Sequence, residues 1–508
     1  MDPAGEHISA HAAITPDKAA LVMHPSGERR TYRELDATAI RLAHVLRQRG
    51  LGPADHLAVL LENQPEFHEI VWAAQRIGCY VTPINWHLTA AEAGYIVADC
   101  EATALVATAR LADVVAQMGH DLDRLTTRIG VDGDLPGFER YGDVVRGGDT
   151  TALTDEREGG WMFYSSGTTG QPKGILPPLS EDDLGAPSFL TRLLKGLFGF
   201  TRDTVYLSPA PLYHAAPAGW TVGTQRLGGT AVVMERFEPI ELLAAIERHR
   251  ITHVQLVPTH MIRLLKLPEA QRHGFDLSSL EMVVHAAAPC PVEIKAAFID
   301  WLGPIVHEFY SGSEGAGFCY IGPEDWLAHR GSVGRSMTGA IHVLDEHREE
   351  LPVGEEGEVW FETNRSFEYH RDPEKTKTAW DPRGWSWLGD VGRVDDDGYL
   401  YLTDRASNLI ISGGVNIYPR EVEDALVVHP AVADVAVLGT PDQEMGEHVT
   451  AFVLLSEGSG ASGGELIDWC RARLSHFKCP TEVRFVDDLP RLPTGKLLKR
   501  RLLTSSDA

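Results

Sequence analysis

The sequence predicts an α/β protein whose large N-terminal domain has parallel-rich sheets covered by helices, followed by a small C-terminal α+β domain. Apolar strand-like runs alternate with helix-like segments through the first half of the chain. That alternation is typical of parallel sheets with helices on both faces. Near residue 405 the pattern changes to short alternating strands that end in a basic tail. A length of 508 residues also exceeds one ordinary domain.

The first predicted elements establish the alternation. Residues 31–34, Thr-Tyr-Arg-Glu, have the spacing of a capping box, and an apolar stripe follows them up to Gly50. The apolar run 57–61 is typical of a buried strand, and a helix is predicted over 65–77. The later predicted elements are a strand at 80–82, a helix from Thr89, strands at 104–106 and 231–234, a helix over 239–249, and strands at 252–257 and 282–284.

The C-terminal part is predicted to fold as a domain of about a hundred residues, within the usual size range. Its predicted elements are an apolar run at 410–414, a helix from Pro419, strands at 432–437 and 449–455, and a helix over 464–474. The sequence allows two interpretations of one further segment. Residues 177–200 are rich in Pro, Ser and acidic residues and end in an amphipathic stretch, which fits either a mobile cover or a surface insertion.

Charge and cysteine content exclude several classes of partner. The net charge of −26 argues against nucleic acid or an anionic membrane as the main partner. No apolar run approaches the length of a membrane span, and the N-terminus does not have the pattern of a secretion signal. The six cysteines are scattered without a Cys-x-x-Cys pair, which favours a reducing compartment, and we expect a cytoplasmic protein.

The chemistry is concentrated in residues 164–174, Tyr-Ser-Ser-Gly-Thr-Thr-Gly-Gln-Pro-Lys-Gly. Glycines let the backbone approach a ligand closely, and backbone N–H groups, hydroxyls and a lysine can together hold phosphate oxygens. A Walker A loop is excluded because Lys173 is followed by Gly174 rather than by Ser or Thr. The alternative is a solvated turn. It fits less well, because apolar residues precede and follow the stretch.

This stretch resembles the signature loop of the adenylate-forming superfamily, which includes acyl- and aryl-CoA synthetases, nonribosomal adenylation domains, beetle luciferases and amide bond synthetases. The resemblance implies an enzyme that joins a carboxylic acid to ATP as an acyl-adenylate, with Mg²⁺, and then transfers the acyl group. It also implies an N-terminal domain over 1–404, a hinge at 405–408 and a mobile lid over 409–508. The loop residues implied to hold the ATP phosphates are Ser165, Ser166, Gly167, Thr168, Thr169, Gly170 and Lys173.

Residues 308–314, Glu-Phe-Tyr-Ser-Gly-Ser-Glu, resemble a second element of that superfamily. The resemblance implies that Tyr310 lies against adenine, that Ser313 touches the α-phosphate and that Glu314 holds Mg²⁺. A hydroxyl beside a carboxylate suits a hard cation with phosphate oxygens. Two positions depart from the superfamily pattern, since Ser311 replaces glycine and Ser313 replaces threonine. Glu308 and Phe309 are also expected at the nucleotide.

Residues 385–390 resemble the element whose aspartate binds both ribose hydroxyls, which implies that role for Asp390. Fifteen residues later, Arg405 matches the arginine expected beside the ribose and phosphate. A turn aspartate before Gly392 is the alternative for Asp390. Near the C-terminus, residues 493–497 resemble the element with the catalytic lysine, which implies that Lys496 bridges carboxylate and α-phosphate. The alternative for Lys496 is a solvated basic tail.

Residues 211–216 resemble the motif at the mouth of the acid pocket, with His214 as its gate. Alone, a histidine after an apolar strand is usually an interior group with satisfied hydrogen bonds. The residues expected to line the acid pocket are His214, Ala215, Ala216, Gly219, Trp220, Ala286, Ala287 and Gly312, with Ala287 also expected at the nucleotide. Their small side chains suggest room for a bulky or cyclic acid.

The sequence leaves two candidates for the acceptor of the acyl group. Residues 412–419 resemble the loop of CoA ligases, which places Gly413, Gly414 and Lys478 on the acceptor side. CoA is therefore expected as co-substrate. The residues that follow Arg405 are uncharged, and Thr481 occupies a position where relatives commonly have a cation. These two departures keep an amine acceptor, and hence an amide bond synthetase, as the alternative. A non-catalytic nucleotide sensor is less consistent, because Lys496, Glu314 and Asp390 are all present.

Overall fold

The computed structural model describes residues 5–165, 172–363, 366–405, 408–412, 415–442, 445–490 and 502. Its α-helices are α1 (Ile8–Ile14), α2 (Tyr32–Gln48), α3 (Pro65–Gln75), α4 (Ala90–Asp99), α5 (Ala112–Gln117), α6 (Tyr141–Gly147), α7 (Phe189–Gly196), α8 (Ala215–Arg226), α9 (Pro239–His249), α10 (Pro258–Leu265), α11 (Glu269–Arg272), α12 (Val292–Leu302), α13 (Pro323–Ala328), α14 (Pro373–Thr378), α15 (Pro419–Val427) and α16 (Gly463–Arg471).

The strands of the first half are β1 (Ala19–His24), β2 (Arg29–Thr31), β3 (His56–Leu60), β4 (Tyr80–Pro83), β5 (Ala104–Thr108), β6 (Thr127–Val131), β7 (Glu139–Arg140), β8 (Gly160–Trp161), β9 (Phe163–Ser165), β10 (Lys173–Leu176), β11 (Val205–Ser208), β12 (Thr230–Met234) and β13 (His253–Leu256). Those of the second half are β14 (Met282–His285), β15 (Val306–Ser311), β16 (Phe318–Ile321), β17 (Arg335–Ser336), β18 (Ile341–Leu344), β19 (Gly357–Glu362), β20 (Glu368–Tyr369), β21 (Trp385–Val394), β22 (Leu400–Arg405), β23 (Ile410–Ser412), β24 (Val415–Ile417), β25 (Val432–Asp442), β26 (Gly446–Leu455) and β27 (Glu482–Phe485).

The chain divides into two compact units, and the first consists of residues 1–256, 267–284 and 366–378. One of its sheets is parallel throughout, in the order β7-β6-β5-β3-β4-β8. In a second sheet β1, β12, β11 and β13 run parallel, with β2 antiparallel at the edge. The predicted parallel sheets of this half of the chain are therefore confirmed.

Local sequence signals explain where helices of this unit begin. The Thr31 side chain accepts from the backbone N–H of Glu34, whose carboxylate accepts from the N–H of Thr31 at 2.8 Å. This capping box starts α2, as predicted, because it satisfies N–H groups that the helix itself leaves unpaired. Thr89 and Glu92 form the same arrangement before α4. Proline at the first position begins α3 and α9, where its missing N–H costs no helical hydrogen bond.

The segment before β11 is packed rather than projecting. It contains α7, which lies against α8 at two glycines. A Cβ atom at Gly219 would lie 3.1 Å from a methyl carbon of Leu190, and one at Gly223 would lie 2.5 Å from a methyl carbon of Leu194. Leu194 is fully buried. The two glycines therefore allow the close approach of these helices, which favours a packed insertion over a mobile cover for this part of 177–200.

The second unit comprises residues 257–266, 285–365 and 379–508. It contains the antiparallel strands β15-β16-β17 and an antiparallel four-stranded sheet in the order β18-β19-β21-β22. Its C-terminal part forms a third sheet, β24-β23-β26-β25, with β27 parallel to β26. Val422, Val435, Ala451 and Leu466 belong to a hydrophobic core of this part. The predicted division at 405–408 stays a prediction.

The described part of the chain carries two further global features. All six cysteines have free thiols and are buried. None of the helices within it combines the length and the apolar composition that crossing a membrane requires.

We predict that Gly223→Ala lowers the stability of the protein. The added methyl group must push against Leu194, and such overpacking costs about 1–3 kcal/mol, of which the better helix propensity of alanine offsets up to about 1 kcal/mol. The matched control is Gly196→Ala on α7, where no atom lies within 4 Å of the new Cβ. Thermal unfolding should show a lower Tm for the Gly223 variant and an equal or higher Tm for the control. Equal Tm values for the two variants would contradict close packing of α7 on α8.

Candidate functional site

The predicted phosphate loop connects two antiparallel strands. In the β9–β10 pair Ser165 lies opposite Lys173, and Tyr164 lies opposite Gly174. A Cβ atom at Gly174 would lie only 2.4 Å from Cε of Met162, so a larger residue there would have to displace the end of the Met162 side chain. Ser165 and Lys173 are thus brought together at the base of the loop. Ser166, Gly167, Thr168, Thr169 and Gly170 lie outside the described residues.

Lys173 has an anionic partner within its own unit. Its Nζ lies 2.6 Å from Oδ2 of Asp372, just beyond β20, which pairs with β10. The hydrogen bond between them raises the pKa of Lys173 and lowers the pKa of Asp372. Both side chains are therefore charged at neutral pH. The sequence predicted the cation and missed the carboxylate, which lies 199 residues further along the chain.

Asn63 fixes the loop that carries His214. Its amide nitrogen donates to the carbonyl oxygens of Ala210 and Met234 at 3.2 and 2.8 Å, and its Oδ1 accepts from the N–H of Leu212 at 2.8 Å. Asn63 follows β3, whereas the two carbonyls lie just after β11 and at the end of β12. One side chain therefore joins the carboxyl ends of strands from two parallel sheets, the region where open α/β sheets bind ligands.

Three polar atoms near this loop are buried and have no hydrogen-bond partner within the described ranges. They are Nε2 of His214, Oη of Tyr213 and Nε1 of Trp86. The Tyr213 ring centre lies 4.3 Å from that of His214 and 6.3 Å from that of Trp86. Burial lowers the pKa of His214 to about 3, so its imidazole is neutral at physiological pH. Buried polar atoms ordinarily have partners, and these three are available to a bound polar group.

Sequence reasoning identified His214 and missed Tyr213 and Trp86. Aromatic residues beside buried strands are most often simple core residues, and nothing in their spacing marks an unpaired polar atom. The available signal was their position three residues after β4 and five residues after β11, in the loops that follow the carboxyl ends of parallel strands.

The structure separates the predicted acid-pocket residues of α8 into two groups. Gly219 faces α7, and the Trp220 ring packs 4.9 Å from that of Phe198. Core packing thus accounts for both residues. Ala215 and Ala216 lie in the first turn of α8 and are partly exposed. The acid-pocket role of all four residues stays a prediction.

In the second unit, Asp390 contacts two other predicted nucleotide residues. The Tyr310 hydroxyl donates to Oδ2 of Asp390, and Nε of Arg405 lies 2.8 Å from its Oδ1. Asp390 and Arg405 are directly opposite each other in the β21–β22 pair. Burial raises the pKa of Asp390, while Arg405 and the Tyr310 hydroxyl oppose that rise. The alternative of a turn aspartate does not fit, since Asp390 lies within a strand.

The negative charge of Glu314 contributes to raising the pKa of Asp390, as expected for a carboxylate in its neighbourhood. A Cβ atom at Gly312 would lie 2.6 Å from Oε2 of Glu314, so this glycine leaves space for the carboxylate. Within the residues that the structure describes, no group of three His, Cys, Asp or Glu side chains could hold a metal ion. A magnesium ion bound largely by phosphates needs only one or two protein carboxylates, and Glu314 fits that role.

The remaining residues of this element differ in what they touch. The hydroxyl of Ser311, which replaces the expected glycine, donates to the carbonyl oxygen of Gly317 at 2.6 Å. This bond stabilises the turn after β15. Ser313 is exposed. The Phe309 ring is stacked on Phe318 with centres 5.3 Å apart.

The side chain of Glu308 is already engaged. Its Oε2 lies 2.6 Å from Nζ of Lys295, and both side chains are buried. Only the backbone of Glu308 is therefore available to a nucleotide. Ala286 is buried, whereas Ala287 is exposed and adopts φ +75°. Positive φ is uncommon for residues other than glycine and is concentrated at functional sites.

On the predicted acceptor side, Nζ of Lys478 lies 2.6 Å from Oε2 of Glu421. The Thr481 hydroxyl donates to the carbonyl oxygen of Val449 at 3.3 Å. Lys478 is thus partly neutralised in this arrangement. Gly413, Gly414, Lys496 and the hinge residues Ala406 and Ser407 lie outside the described residues.

Comparison with known proteins decides the family. The family model described as AMP-binding enzyme matches residues 8–368, and that of the AMP-binding enzyme C-terminal domain matches residues 421–496. The chain belongs to the AMP-binding enzyme family.

Relatives cover nearly the whole chain of this AMP-binding enzyme. It is 33% identical to a feruloyl-CoA synthase of an Amycolatopsis species, over 94% of each chain. It is 29% identical to the long-chain-fatty-acid–CoA ligase FadD13 of Mycobacterium tuberculosis, over 98% of this chain and 97% of that one. The solved structure of the amide bond synthetase McbA from Marinactinospora thermotolerans is similar with a TM-score of 0.82 and 28% identity, covering 98% and 99% of the two chains.

These comparisons confirm three predictions made from the sequence. The chain has the fold of the adenylate-forming enzymes, belongs to that superfamily and is an ATP-dependent ligase that activates a carboxylic acid. The individual site residues stay predictions, and the contacts described above are what supports them.

We predict that Asn63→Ala destabilises this AMP-binding enzyme by about 3 kcal/mol or more. Three buried backbone groups lose their partner, and each such group costs about 1–3 kcal/mol. The control is Asn85→Ala, whose side chain accepts one bond from the His87 N–H at a partly exposed site and should cost less than about 1 kcal/mol. Denaturant unfolding of both variants measures the difference. A loss below 1 kcal/mol for the Asn63 variant would show that the loop is held by other contacts.

Proposed function

We propose that this enzyme converts a carboxylic acid and ATP into an enzyme-bound acyl-adenylate and pyrophosphate, and then transfers the acyl group to the thiol of CoA with release of AMP. The main support is the contact among Tyr310, Asp390 and Arg405, with Glu314 nearby. A carboxylate accepts two ribose hydroxyls, an aromatic ring packs against adenine, and an arginine and a magnesium-binding carboxylate match the phosphates. Four side chains with these chemistries in one place fit an adenosine phosphate.

In the proposed first step a carboxylate oxygen attacks the α-phosphorus, and the bond from that phosphorus to the pyrophosphate oxygen breaks. Both reactants are anionic, so catalysis consists mainly of positioning and of cationic groups that spread the charge. Lys173 and Ser165, with the rest of the loop, would hold the β- and γ-phosphates. Lys496 would contact the carboxylate and the α-phosphate. Mg²⁺ bound by Glu314 and phosphate oxygens would supply further positive charge.

We propose an aromatic or other bulky carboxylic acid as substrate. Ala215 and Ala216 offer small side chains, and Tyr213 and Trp86 offer aromatic surface with unpaired polar atoms. Neutral His214 can donate or accept one hydrogen bond without adding charge. The relative that acts as a feruloyl-CoA synthase is consistent with an aromatic acid.

The second candidate function is amide bond formation with an amine acceptor. Two observations favour it. Lys478, the cation expected beside CoA phosphates, is paired with Glu421, and Thr481 offers no charge. The structural likeness to an amide bond synthetase extends over the whole chain. CoA stays our main proposal because the curated relatives named above are CoA ligases.

We also propose a cytoplasmic location and small-molecule partners only. Six free buried cysteines suit a reducing compartment. The net charge of −26 is unfavourable for binding nucleic acid or anionic membranes.

The test measures each half-reaction separately. Purified protein with Mg·ATP and a panel of aromatic and aliphatic acids should exchange radiolabelled pyrophosphate into ATP only when an accepted acid is present. Addition of EDTA in excess of Mg²⁺ should abolish this exchange. Failure of every acid to support it would contradict adenylation.

The acceptor is then identified by mass spectrometry of reactions that contain CoA, a simple primary amine, or both. We expect the acyl-CoA thioester. Efficient amide formation without CoA, together with negligible thioester when CoA is supplied, would replace the main proposal by the second.

We predict that Lys496→Ala slows adenylate formation by about 10²–10³-fold, the usual effect of removing one charge-stabilising contact. The matched control is Lys499→Ala, which removes a second lysine from the same basic stretch and should change the rate less than about twofold. Both variants should keep the Tm of the wild type. Equal slowing in the two variants would assign the effect to the net charge of the tail rather than to Lys496.

A further inference from the structure

The second unit contains a buried cluster of three titratable side chains that the proposed reaction does not use: His285, Lys295 and Glu308. Oε2 of Glu308 lies 2.6 Å from Nζ of Lys295 and 3.4 Å from Nε2 of His285. The exposed fractions of the three side chains are 0% for His285, 1% for Lys295 and 8% for Glu308. Lys295 donates a hydrogen bond to Oε2 of Glu308, whereas the His285 imidazole lies beside it without a hydrogen bond in the described part of the chain.

The three residues connect segments that carry predicted site residues. His285 is the last residue of β14 and directly precedes Ala286 and Ala287. Glu308 lies in β15, two residues before Tyr310, whose hydroxyl binds Asp390. Lys295 lies on α12, where its ammonium group also faces the Trp326 ring at 4.8 Å.

Stability alone is a weak reason for such a cluster. Removing a lysine and a carboxylate from water is costly, and replacing a buried ion pair by apolar residues is often neutral or stabilising. Burial acts to raise the pKa of Glu308, but the charge of Lys295 and its hydrogen bond act to lower it, and the pKa lies below its usual value. Burial lowers the pKa of His285 to about 4, so its imidazole is neutral at neutral pH. The carboxylate therefore stays ionised and keeps its contact with the lysine. A charged buried contact has one defined geometry, which apolar packing does not impose.

We propose that Lys295, Glu308 and His285 form a positioning triad for the nucleotide site. Lys295 on α12 holds the Glu308 carboxylate, which fixes β15 and hence the place of Tyr310. His285 beside the same carboxylate fixes the end of β14 and hence Ala286 and Ala287. The triad acts through these segments and does not touch the substrate. The inference rests on the proposed function, since that function assigns Tyr310 and Ala287 to the nucleotide.

The first experiment measures nucleotide binding without turnover. Isothermal titration calorimetry gives the Kd for AMP of the full-length wild type and of Lys295→Met, which keeps a similar length and loses the charge. We expect the Kd to rise at least about tenfold, because a displaced contact group loses much of its binding contribution. In the adenylation assay the KM for ATP should rise by a similar factor.

A double variant separates positioning from stability. Lys295→Met with Glu308→Gln leaves no unpaired buried charge, so its Tm should return close to that of the wild type. The link from α12 to β15 is still missing, so the raised Kd for AMP should persist. Recovery of both the Tm and the Kd in the double variant would overturn the proposal and leave the triad a purely structural cluster. The double variant also decides the question if Lys295→Met alone does not fold.

The matched control is Arg76→Met. Arg76 is equally buried and has Nη2 2.7 Å from Oδ1 of Asp36 in the first unit, in a segment without predicted site residues. Its loss should lower the Tm and leave the Kd for AMP within about twofold of the wild type. A Kd that rises as much as in Lys295→Met would mean that any loss of stability weakens AMP binding, and would contradict the proposal. A wild type that binds neither AMP nor ATP would instead contradict the proposed function itself.

Discussion

The contacts of the buried Asp390 carboxylate are the interaction on which the proposed nucleotide site depends. Taking a carboxylate out of water is costly unless charged or polar partners surround it. Here the partners are the Tyr310 hydroxyl and the Arg405 guanidinium, which come from β15 and β22, while Asp390 itself lies on β21. Satisfying one charge thus brings three strands of the second unit together. In the proposed function an incoming ribose would meet acceptor oxygens whose positions are already set.

Much of the fold and the chemistry could be predicted because both depend on short stretches of sequence. The alternation of strands and helices predicted the parallel sheets, and capping residues placed the start of α2 and α4. Short motifs identified Asp390, Tyr310 and Arg405, and the structure brings them into contact. What the motifs do not encode is the partner of each group, since that partner is set by the tertiary fold. The pairing of Glu308 with Lys295 shows this, because the motif predicted a nucleotide contact where the side chain meets a lysine.

Prediction was weakest where one face of an element had to be chosen. Gly219 and Trp220 follow His214 on α8, and their sequence positions do not tell which side of the helix meets ligand. The structure turns them towards α7 and its neighbours, because glycine at that face lets two helices approach closely. The antiparallel sheet β18-β19-β21-β22 was not predicted either. Gly392 follows Asp390 within β21, which is why a turn aspartate was the alternative for Asp390.

The contact between Lys173 and Asp372 has a consequence for the catalytic cycle. In the proposed reaction Lys173 binds the phosphates of the incoming ATP and then contacts the pyrophosphate that must leave. A lysine with no other anion nearby would hold both tightly, and departure of the product would then limit turnover. Asp372 competes with each phosphate for the same ammonium group, at 2.6 Å. In the proposed reaction this competition would reduce the affinity for the substrate, and the Asp372 carboxylate would replace the leaving pyrophosphate at the lysine. The charge of Lys173 would then be balanced again before the next ATP binds.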